Sequence, residues 1–384
     1  MFKANPYRPG AGLMPQYLAG RDEEIKEVEY MLDSLQEGLP TKSVIYSGLR
    51  GVGKTVLLNR IEELADERQI FYEHIEIAEN GNFIQQMTAS SKSFLRKISS
   101  KEKAKIFVDK ALDALKALTI SFNPDQKTFS LSLNEQELYL SEDLTQSLTE
   151  VLVELGKAAR ESEQPIAFFI DEIQFMKKEE LSALISALHR TNQLSLPIMI
   201  FGAGLPKVFK LLGDVKSYSE RLFEYRTIGS LDAEQARRAI TNPSKKYEVT
   251  YDEEAVREIC LVTGNYPFFL QQLCSIVWNQ LNENTISLSI VKEAEEDYVK
   301  QLDEGFYKVR YERCTDREKA FIRAMVDCGE LPCTIANVAK NMKTSVSAIS
   351  PIRAQLISKG IIYAVQHGEL DFTVPGFDEF LIRQ

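Results

Sequence analysis

The stretch Gly48-Leu49-Arg50-Gly51-Val52-Gly53-Lys54-Thr55 decides the fold of this 384-residue chain. It matches the pattern G-x-x-x-x-G-K-[ST], a loop that wraps the phosphates of a nucleoside triphosphate. The glycines let successive backbone N–H groups converge on phosphate oxygens. Lys54 has the length to reach the β- and γ-phosphates, and the Thr55 hydroxyl suits a magnesium ion. We therefore expect the residues from Gly48 to Val56 to bind the phosphates of a nucleotide.

The flanks of this loop predict a strand before it and a helix after it. The β-branched run Val44-Ile45-Tyr46 precedes the loop, and Val56, Leu57, Ile61 and Leu64 follow it at helical spacing. A helix that begins here points the positive end of its dipole at the anion. The alternative is a glycine-rich turn with a surface lysine, and these flanks argue against it.

A second motif, Pro165-Ile166-Ala167-Phe168-Phe169-Ile170-Asp171-Glu172, is an apolar run that ends in two acids. Such a run is typical of a strand buried on both faces of a parallel sheet, and ligands bind at the carboxyl ends of such strands. We therefore expect Asp171 to hold Mg²⁺ together with Thr55, and Glu172 to act as the general base. The alternative is a strand that ends at an acidic helix cap. The complete phosphate loop upstream makes that alternative weaker.

The order of elements predicts an α/β protein with a parallel sheet. Strands and helices alternate up to about residue 230, so residues 1–230 are expected to form a P-loop domain with helices on both faces of the sheet. Its insertion at about 80–160 is expected to contain a small hairpin at 129–140. An all-helical lid is expected over 231–300. Residues 301–384 are expected to form a linker helix, three helices and a β-hairpin, which is the winged-helix arrangement.

The composition is that of a soluble globular protein, with 44% apolar and 27% charged residues. No apolar run approaches the length of a membrane span, and the N-terminus lacks the apolar core of a signal peptide. Five cysteines without a C-x-x-C pair favour reduced thiols in a cytoplasmic protein over zinc or disulfide frameworks. The net charge of −10 argues against wholesale coating of nucleic acid.

One local region nevertheless has the charge of a DNA-binding surface. Residues 340–362 contain four basic side chains and no acid, so a recognition helix there could enter a major groove. The candidate DNA contacts are Lys343, Ser345, Ser347, Arg353 and Lys359. Pro351 falls inside the proposed helix and has to lie in its first turn or kink it. The alternative is packing against protein alone, since winged helices also serve as protein-contact modules.

Taken together, these features resemble the AAA+-like P-loop ATPases of the group that contains archaeal origin-recognition ATPases and STAND signalling ATPases. The resemblance also rests on Leu18-Ala19-Gly20-Arg21-Asp22-Glu23-Glu24 and on Gly264-Asn265-Tyr266-Pro267-Phe268. The chain is further similar to prokaryotic AAA family ATP-binding proteins through Ala187-Leu188-His189-Arg190 and Gly202-Ala203-Gly204-Leu205-Pro206.

The resemblance implies that ATP or ADP binds with Mg²⁺ and that ATP is hydrolysed. It also implies that Leu18, Arg21 and Pro267 line the adenine pocket. The alternative for residues 264–267 is a tight turn between two lid helices.

Two departures from the family pattern concern the charge near the γ-phosphate. Gly202-Ala203-Gly204 stands where a strand usually ends in a polar residue, and Tyr266-Pro267 stands where many AAA+ proteins have a lid arginine. An arginine from a neighbouring subunit can contribute about 10³–10⁵ in rate. Arg221 is the candidate because it lies just before a strand, where such arginines commonly fall. The alternative is a helix-terminal arginine paired with Glu220 or Glu224.

The sequence thus predicts a Mg²⁺-dependent, slow ATPase that acts as a nucleotide switch, with ATP bound between the sheet domain and the lid. Two hypotheses describe its output. In the first, it is a DNA-associated ATPase of initiator or mobile-element type. In the second, it is a signalling or scaffold ATPase whose winged helix packs on its own nucleotide domain. A homo-oligomer or a protein partner is compatible with both.

Overall fold

The computed structural model describes residues 3–79, 81–98, 102–122, 144–216, 219–366 and 368–384. The hairpin expected at 129–140 lies outside the described residues. Within the described part, no helix is both long enough and apolar enough to cross a membrane. All five cysteines carry free thiols.

A parallel sheet forms the centre of the first half of the chain. Its five strands are β1 (Ser43–Ser47), β2 (Phe71–Glu76), β3 (Ile166–Asp171), β4 (Ile198–Gly204) and β5 (Phe223–Thr227). They lie in the order β2-β3-β4-β1-β5, and every neighbouring pair is parallel. The predicted parallel α/β sheet is therefore confirmed. The carboxyl ends of β1 and β3 meet at one edge of the sheet, with β4 between them.

Helices cover both faces of this sheet. They are α1 (Asp22–Gln36), α2 (Lys54–Glu67), α3 (Phe83–Ile98), α4 (Lys105–Phe122), α5 (Leu144–Glu161), α6 (Lys178–Gln193), α7 (Lys207–Val215) and α8 (Ser219–Leu222). Alternate residues of β3 point to opposite faces of the sheet. Phe168 packs in the core formed with α3 to α7, and Phe169 packs in the core formed with α1 and α2. Burial on both faces explains why β3 is an unbroken apolar run.

The lid follows the sheet domain. Its helices are α9 (Ala233–Lys245), α10 (Glu253–Thr263), α11 (Pro267–Asn279) and α12 (Leu288–Leu302). The expectation of helices alone was wrong, because β6 (Thr250–Tyr251) and β7 (Thr285–Ile286) pair as a small parallel sheet. A strand of two residues is too short to show the alternation that reveals strands in a sequence.

The leader packs on the lid without regular secondary structure over residues 3–21. The Tyr7 side chain is buried there, and its hydroxyl donates to the carbonyl oxygen of Ile240 at 2.5 Å. The leader is therefore tied to the lid at its N-terminal end.

The C-terminal part combines helices with a small antiparallel sheet. A π-helical turn, Asp303–Tyr307, joins α12 to α13 (Lys308–Glu312). The helices that follow are α14 (Asp316–Val326), α15 (Ile335–Asn341), α16 (Val346–Ser358) and α17 (Phe377–Arg383). The strands β8 (Cys333–Thr334), β9 (Ile362–Ala364) and β10 (Glu369–Phe372) lie in the order β8-β10-β9. The β9–β10 hairpin matches the expected one, whereas β8 and α17 were not predicted from the sequence.

The lid and the C-terminal part share one hydrophobic cluster. Leu273 from α11, Phe321 from α14 and Leu356 from α16 all belong to it. The domain boundary expected at residue 300 falls inside α12, where the helical backbone runs on into the C-terminal part. The lid and the C-terminal part are thus packed against each other as well as joined.

Candidate nucleotide site

The phosphate loop joins β1 to α2, and its glycines are required by the geometry. A Cβ atom on Gly48 would lie 2.2 Å from the carbonyl oxygen of Ile228. Gly51 and Gly53 adopt φ angles of +87° and +91°, which L-residues rarely take. The loop lets the N-terminus of α2 open into a cavity of about 490 Å³. That volume is typical of small-ligand sites, and unpaired helix N–H groups favour an anion.

Lys54 is the first residue of α2, and its side chain is buried. Its Nζ atom donates to the carbonyl oxygens of Gly48 at 2.9 Å and Leu49 at 3.0 Å. Burial lowers the pKa of this ammonium, and the Glu172 and Asp171 carboxylates oppose that shift. The ammonium is therefore held against the loop that would carry the phosphates.

Asp171 ends β3 and faces Thr55 across the site. The Thr55 hydroxyl donates to Asp171 Oδ2 at 2.5 Å, and Oδ1 accepts the backbone N–H of Glu172 at 2.8 Å. Burial raises the pKa of Asp171, although the hydrogen bond from Thr55 lowers it. The paired hydroxyl and carboxylate are oxygen ligands of the kind that Mg²⁺ prefers.

The donor set around Asp171 fits a magnesium ion better than a metal held by protein alone. Among the described residues, no three His, Cys, Asp or Glu side chains are grouped as a metal site. Mg²⁺ usually takes one or two protein oxygens and completes its shell with phosphates and water. Thr55 and Asp171 therefore could hold Mg²⁺ only together with a nucleotide.

Glu172 follows Asp171 in a left-handed backbone conformation, with φ of +55°. Its Oε1 atom forms an ion pair with Arg50 at 3.3 Å, and its Oε2 atom accepts a hydrogen bond from the Gln174 amide. The pairing with Glu172 leaves the Arg50 side chain only 25% exposed.

Gln174 is a site residue that the sequence motifs did not predict. Besides contacting Glu172, it accepts a hydrogen bond from the backbone N–H of Leu205 at 3.0 Å, just beyond β4. The Gln174 amide therefore links Glu172 to the C-terminal end of β4, where Gly202-Ala203-Gly204 offers no polar side chain. Its position two residues after Glu172 was the signal available in the sequence.

The three residues proposed for the adenine pocket all line the cavity: Leu18, Arg21 and Pro267. Arg21 is buried and donates to the carbonyl oxygens of Gly20 at 2.7 Å, Val52 at 2.9 Å and Gly229 at 3.0 Å. Burial lowers the pKa of its guanidinium. Because its donors are directed at backbone oxygens, Arg21 shapes the pocket by clamping the leader to the phosphate loop.

The leader forms another part of the cavity wall that the sequence motifs did not predict. Gly10 to Leu13 line the cavity, and the Asn59 amide donates to the carbonyl oxygen of Gly12 at 3.0 Å. An irregular segment has no periodic pattern that would predict its path.

The C-terminal part reaches the phosphate loop directly. The backbone N–H of Arg50 donates to the carbonyl oxygen of Thr373 at 3.1 Å. Lys207 donates to the carbonyl oxygen of Ile357 at 3.1 Å, and Arg313 forms an ion pair with Glu79 at 2.7 Å. These contacts join the C-terminal part to the sheet domain at the edge where the cavity lies.

Arg221 lies outside the cavity wall. It is exposed in the four-residue helix α8, and none of the described residues around it forms an ion pair with it, including Glu220 and Glu224. The structure therefore places no catalytic arginine from this position in the chain's own site.

The candidate DNA contacts have unlike surroundings. Lys343, Ser345 and Ser347 are exposed at the N-terminal end of α16. Lys359 instead donates to the carbonyl oxygen of Arg313 at 3.2 Å and forms an ion pair with Glu318 at 2.7 Å.

Arg353 and Pro351 lie in the body of α16. Arg353 is half-buried, and its Nε atom has no hydrogen-bond partner among the described residues. Pro351 lies beyond the first turn of α16, so of the two expected placements the one in the first turn does not hold. Its missing N–H removes one hydrogen bond from the body of this helix.

Two family models match the chain. Residues 17–201 match the AAA ATPase domain, and residues 304–381 match a domain of unknown function, DUF8462. The first match contains the phosphate loop and the Asp171-Glu172 pair. Residues 17–201 are therefore similar in sequence to AAA ATPase domains. No curated protein shows significant similarity to the chain.

Among solved structures, the chain is similar to the Walker-type ATPase PABY2304 of Pyrococcus abyssi. The TM-score is 0.54 at 16% identity, over 95% of this chain and 96% of that chain. At this identity the similarity shows a shared fold alone.

Two further structures are less similar. The RuvB Holliday junction branch migration motor of Thermotoga maritima gives a TM-score of 0.48 at 16% identity, over 97% of this chain and 98% of that chain. The Orc1 protein of Aeropyrum pernix in complex with DNA gives 0.47 at 14% identity, over 96% and 95%. Neither score is high enough to support a functional argument.

Proposed function

We propose that this protein is a nucleotide switch that binds ATP with Mg²⁺ between its sheet domain and its lid and hydrolyses the ATP slowly. The observation that carries this proposal is the convergence of Lys54, the Thr55–Asp171 pair and Glu172 on one cavity. Phosphoryl transfer needs a cation at the phosphates, metal ligands and a group that orients the attacking water. When bound, Mg²⁺ neutralises charge on the β- and γ-phosphates.

Different residues of the chain have different roles in this binding and hydrolysis. Backbone N–H groups at the start of α2 and the Lys54 ammonium bind phosphate oxygens. Glu172 accepts a proton from the attacking water as general base. Arg50 and Gln174 fix the direction of the Glu172 carboxylate. Leu18 and Pro267 offer apolar contact to the base, with Arg21 holding their surroundings in place.

The output of the switch is proposed to be the position of the C-terminal part, which we interpret as a linker helix and a winged-helix domain over residues 301–384. Arg50 supports this because its side chain meets the base Glu172 while its backbone meets Thr373. A shift of the phosphate loop on nucleotide binding would therefore move a contact of the C-terminal part. This packing favours a signalling or scaffold ATPase over a dedicated DNA reader.

DNA association is the second candidate output, and one observation favours it. Lys343, Ser345 and Ser347 are exposed in a region without acids, so the N-terminal end of α16 could approach a phosphate backbone. A homo-oligomer is compatible with either output. In such an oligomer, the exposed Arg221 could reach a nucleotide that is bound in the site of a neighbouring copy.

Phosphate release from MgATP tests the enzymatic part of the proposal. Wild-type protein is compared with Glu172→Gln, and Glu179→Gln serves as the matched control because Glu179 is exposed on α6. We expect Glu172→Gln to lower turnover by about 10²–10⁴-fold while ATP still binds. Unimpaired turnover in that variant would remove Glu172 as base. A wild-type protein that releases no phosphate above background would refute the ATPase function.

A further inference from the structure

The π-helical turn Asp303–Tyr307 brings the linker into the nucleotide cavity. Turns of this kind are rare and are frequent at functional sites. Here it places Gly305 and Phe306, and Arg310 one turn later, in the same cavity wall as Arg50 and Lys54. The linker between the lid and the C-terminal domain is therefore part of the site.

Arg310 is held in a defined position relative to the phosphate loop. Its guanidinium lies 3.9 Å from the centroid of the Phe306 ring, and Nη1 donates to the Phe306 carbonyl oxygen at 2.5 Å. Phe306 stacks on Phe268 at 4.8 Å, and the backbone N–H of Phe268 donates to the Gly51 carbonyl oxygen at 3.1 Å. A continuous set of contacts thus runs from the loop through two aromatic rings to the arginine.

The charge of Arg310 has no acidic partner among the described residues. The cavity is lined by five cationic side chains but only two acidic ones, Asp171 and Glu172. Asp171 is taken by Thr55 and Glu172 by Arg50, and Arg21 is satisfied by backbone carbonyls. A half-buried guanidinium without a counter-charge is costly, and an anion in the cavity would remove that cost.

Arg310 and Arg50 line the same cavity, and their positive charges repel each other. Burial, together with the nearby charges of Arg50 and Arg313, lowers the pKa of Arg310 to about 10. The group stays protonated at neutral pH. Its neighbour Arg50 pairs with Glu172, which is the proposed base for attack on the terminal phosphate.

We propose that Arg310 contacts the γ-phosphate of ATP bound in its own chain, so that the linker distinguishes ATP from ADP. This inference rests on the proposed function and names the residue that carries its switch. Arg310 would supply, from the linker, the positive charge that Tyr266-Pro267 does not supply from the lid. Because α14 begins at Asp316, the residue that senses the phosphate lies next to the domain that would move.

The test compares ATP and ADP affinities, measured by calorimetry in the presence of Mg²⁺, for wild type, Arg310→Gln and Lys308→Gln. Lys308 is the matched control because it is an exposed cation on the same short helix and lies outside the cavity wall. We expect Arg310→Gln to weaken ATP binding by about 10- to 100-fold, since a charge-assisted hydrogen bond is lost. The ADP affinity of Arg310→Gln should differ from that of wild type by no more than the ADP affinity of Lys308→Gln does.

An equal loss for ATP and ADP, or no loss for either, would overturn the inference. If thermal unfolding shows that Arg310→Gln is not folded, Arg310→Lys takes its place, because it keeps the charge but loses the planar fork. That variant should lower ATP affinity selectively, and an unchanged ratio of ATP to ADP affinity would overturn the inference as well. A wild-type protein that binds neither nucleotide would instead sink the proposed function itself.

A second readout reports on the linker without using affinity. Hydrogen exchange of residues 303–313 should slow more in saturating ATP than in saturating ADP, provided that hydrolysis is blocked by Glu172→Gln. The difference should vanish when Arg310→Gln is added. Equal protection by both nucleotides in the Glu172→Gln protein would count against the inference.

Discussion

The phosphate loop and helix α16 are the two regions in which the sequence predicts contact with a polyanion, and their surroundings are opposite. In the loop, Lys54 is held by two carbonyl oxygens and Thr55 by Asp171. Just before α16, Lys343 is exposed and forms no hydrogen bond or ion pair through its side chain with the described residues, and just after α16, Lys359 pairs with Glu318. Groups fixed before binding lose little conformational entropy when the ligand arrives. Similar side chains are therefore held in place in the loop, whereas next to the helix they form a candidate surface only.

The largest expected effect lies in the loop. Lys54→Ala removes the ammonium that would bind two phosphates, so ATP affinity should fall by roughly 100- to 10,000-fold. Equilibrium binding of a fluorescent ATP analogue measures this loss. Lys42→Ala is the control, because Lys42 is exposed and pairs with Glu224 outside the cavity wall. Retained affinity in Lys54→Ala would show that the buried lysine contributes no more to nucleotide binding than an exposed one.

The next largest expected effect is on the free energy of unfolding, and it tests whether Lys359 stabilises the fold. Lys359→Met leaves the Glu318 carboxylate buried and unpaired, which should lower the free energy of unfolding by about 3 kcal/mol. Urea denaturation measures it, with the exposed Lys343→Met expected to stay within about 0.5 kcal/mol of wild type. Equal stabilities for the two variants would show that Lys359 is as available for a ligand as Lys343.

The ion pair between Lys359 and Glu318 predicts in which direction the free energy of unfolding changes with pH. Burial raises the pKa of Glu318, but the hydrogen bonds from Lys359 and Thr315 outweigh it, so the net pKa is lowered. A carboxyl whose pKa is lowered by folding stabilises the protein above its unfolded pKa and loses that effect as the pH falls. The stability gap between wild type and Lys359→Met should therefore narrow on acidification through the carboxyl range. A gap that widens with acid would contradict the pairing.

A smaller effect concerns the metal. Thr55→Ala removes one oxygen ligand, so the gain in ATP affinity on adding Mg²⁺ should shrink by about tenfold. Thr55→Ser should keep that gain because it retains the hydroxyl. The measurement is ATP affinity with Mg²⁺ and with EDTA for each variant. If both variants keep the wild-type gain, the Thr55–Asp171 pair is not the metal site.

The smallest expected effect is on DNA. If the exposed end of α16 binds a duplex, affinity should fall steeply with salt, and Lys343→Ala should lower the slope of log affinity against log salt by about one. Arg353→Ala should lower it less, because Arg353 is half-buried. Lys359→Met should leave the slope unchanged. Absence of binding at low salt would eliminate the DNA candidate.

The sequence predicted those parts of the molecule that local patterns encode. The loop motif and the apolar run of β3 lie within short stretches, so both appeared with their roles before any tertiary contact was considered. Thr55 and Asp171 are 116 residues apart, yet each motif predicted its own half of the pair.

The rest depends on contacts that no local pattern records. Arg50 meets Glu172 across 122 residues, and Lys359 meets Glu318 across 41. Arg310 enters the cavity only because a π-helical turn and two stacked rings place it there, and nothing in its own neighbourhood distinguishes it from other surface arginines. The two-residue strands β6 and β7 are too short to carry a period at all.

Isothermal titration of the wild-type protein with ATP in the presence of Mg²⁺ measures nucleotide binding itself. We expect heat with one binding site per chain, weaker binding when EDTA replaces the metal, and a large loss of affinity in Lys54→Ala. Absence of heat with both ATP and GTP, from folded protein in excess Mg²⁺, would contradict this expectation.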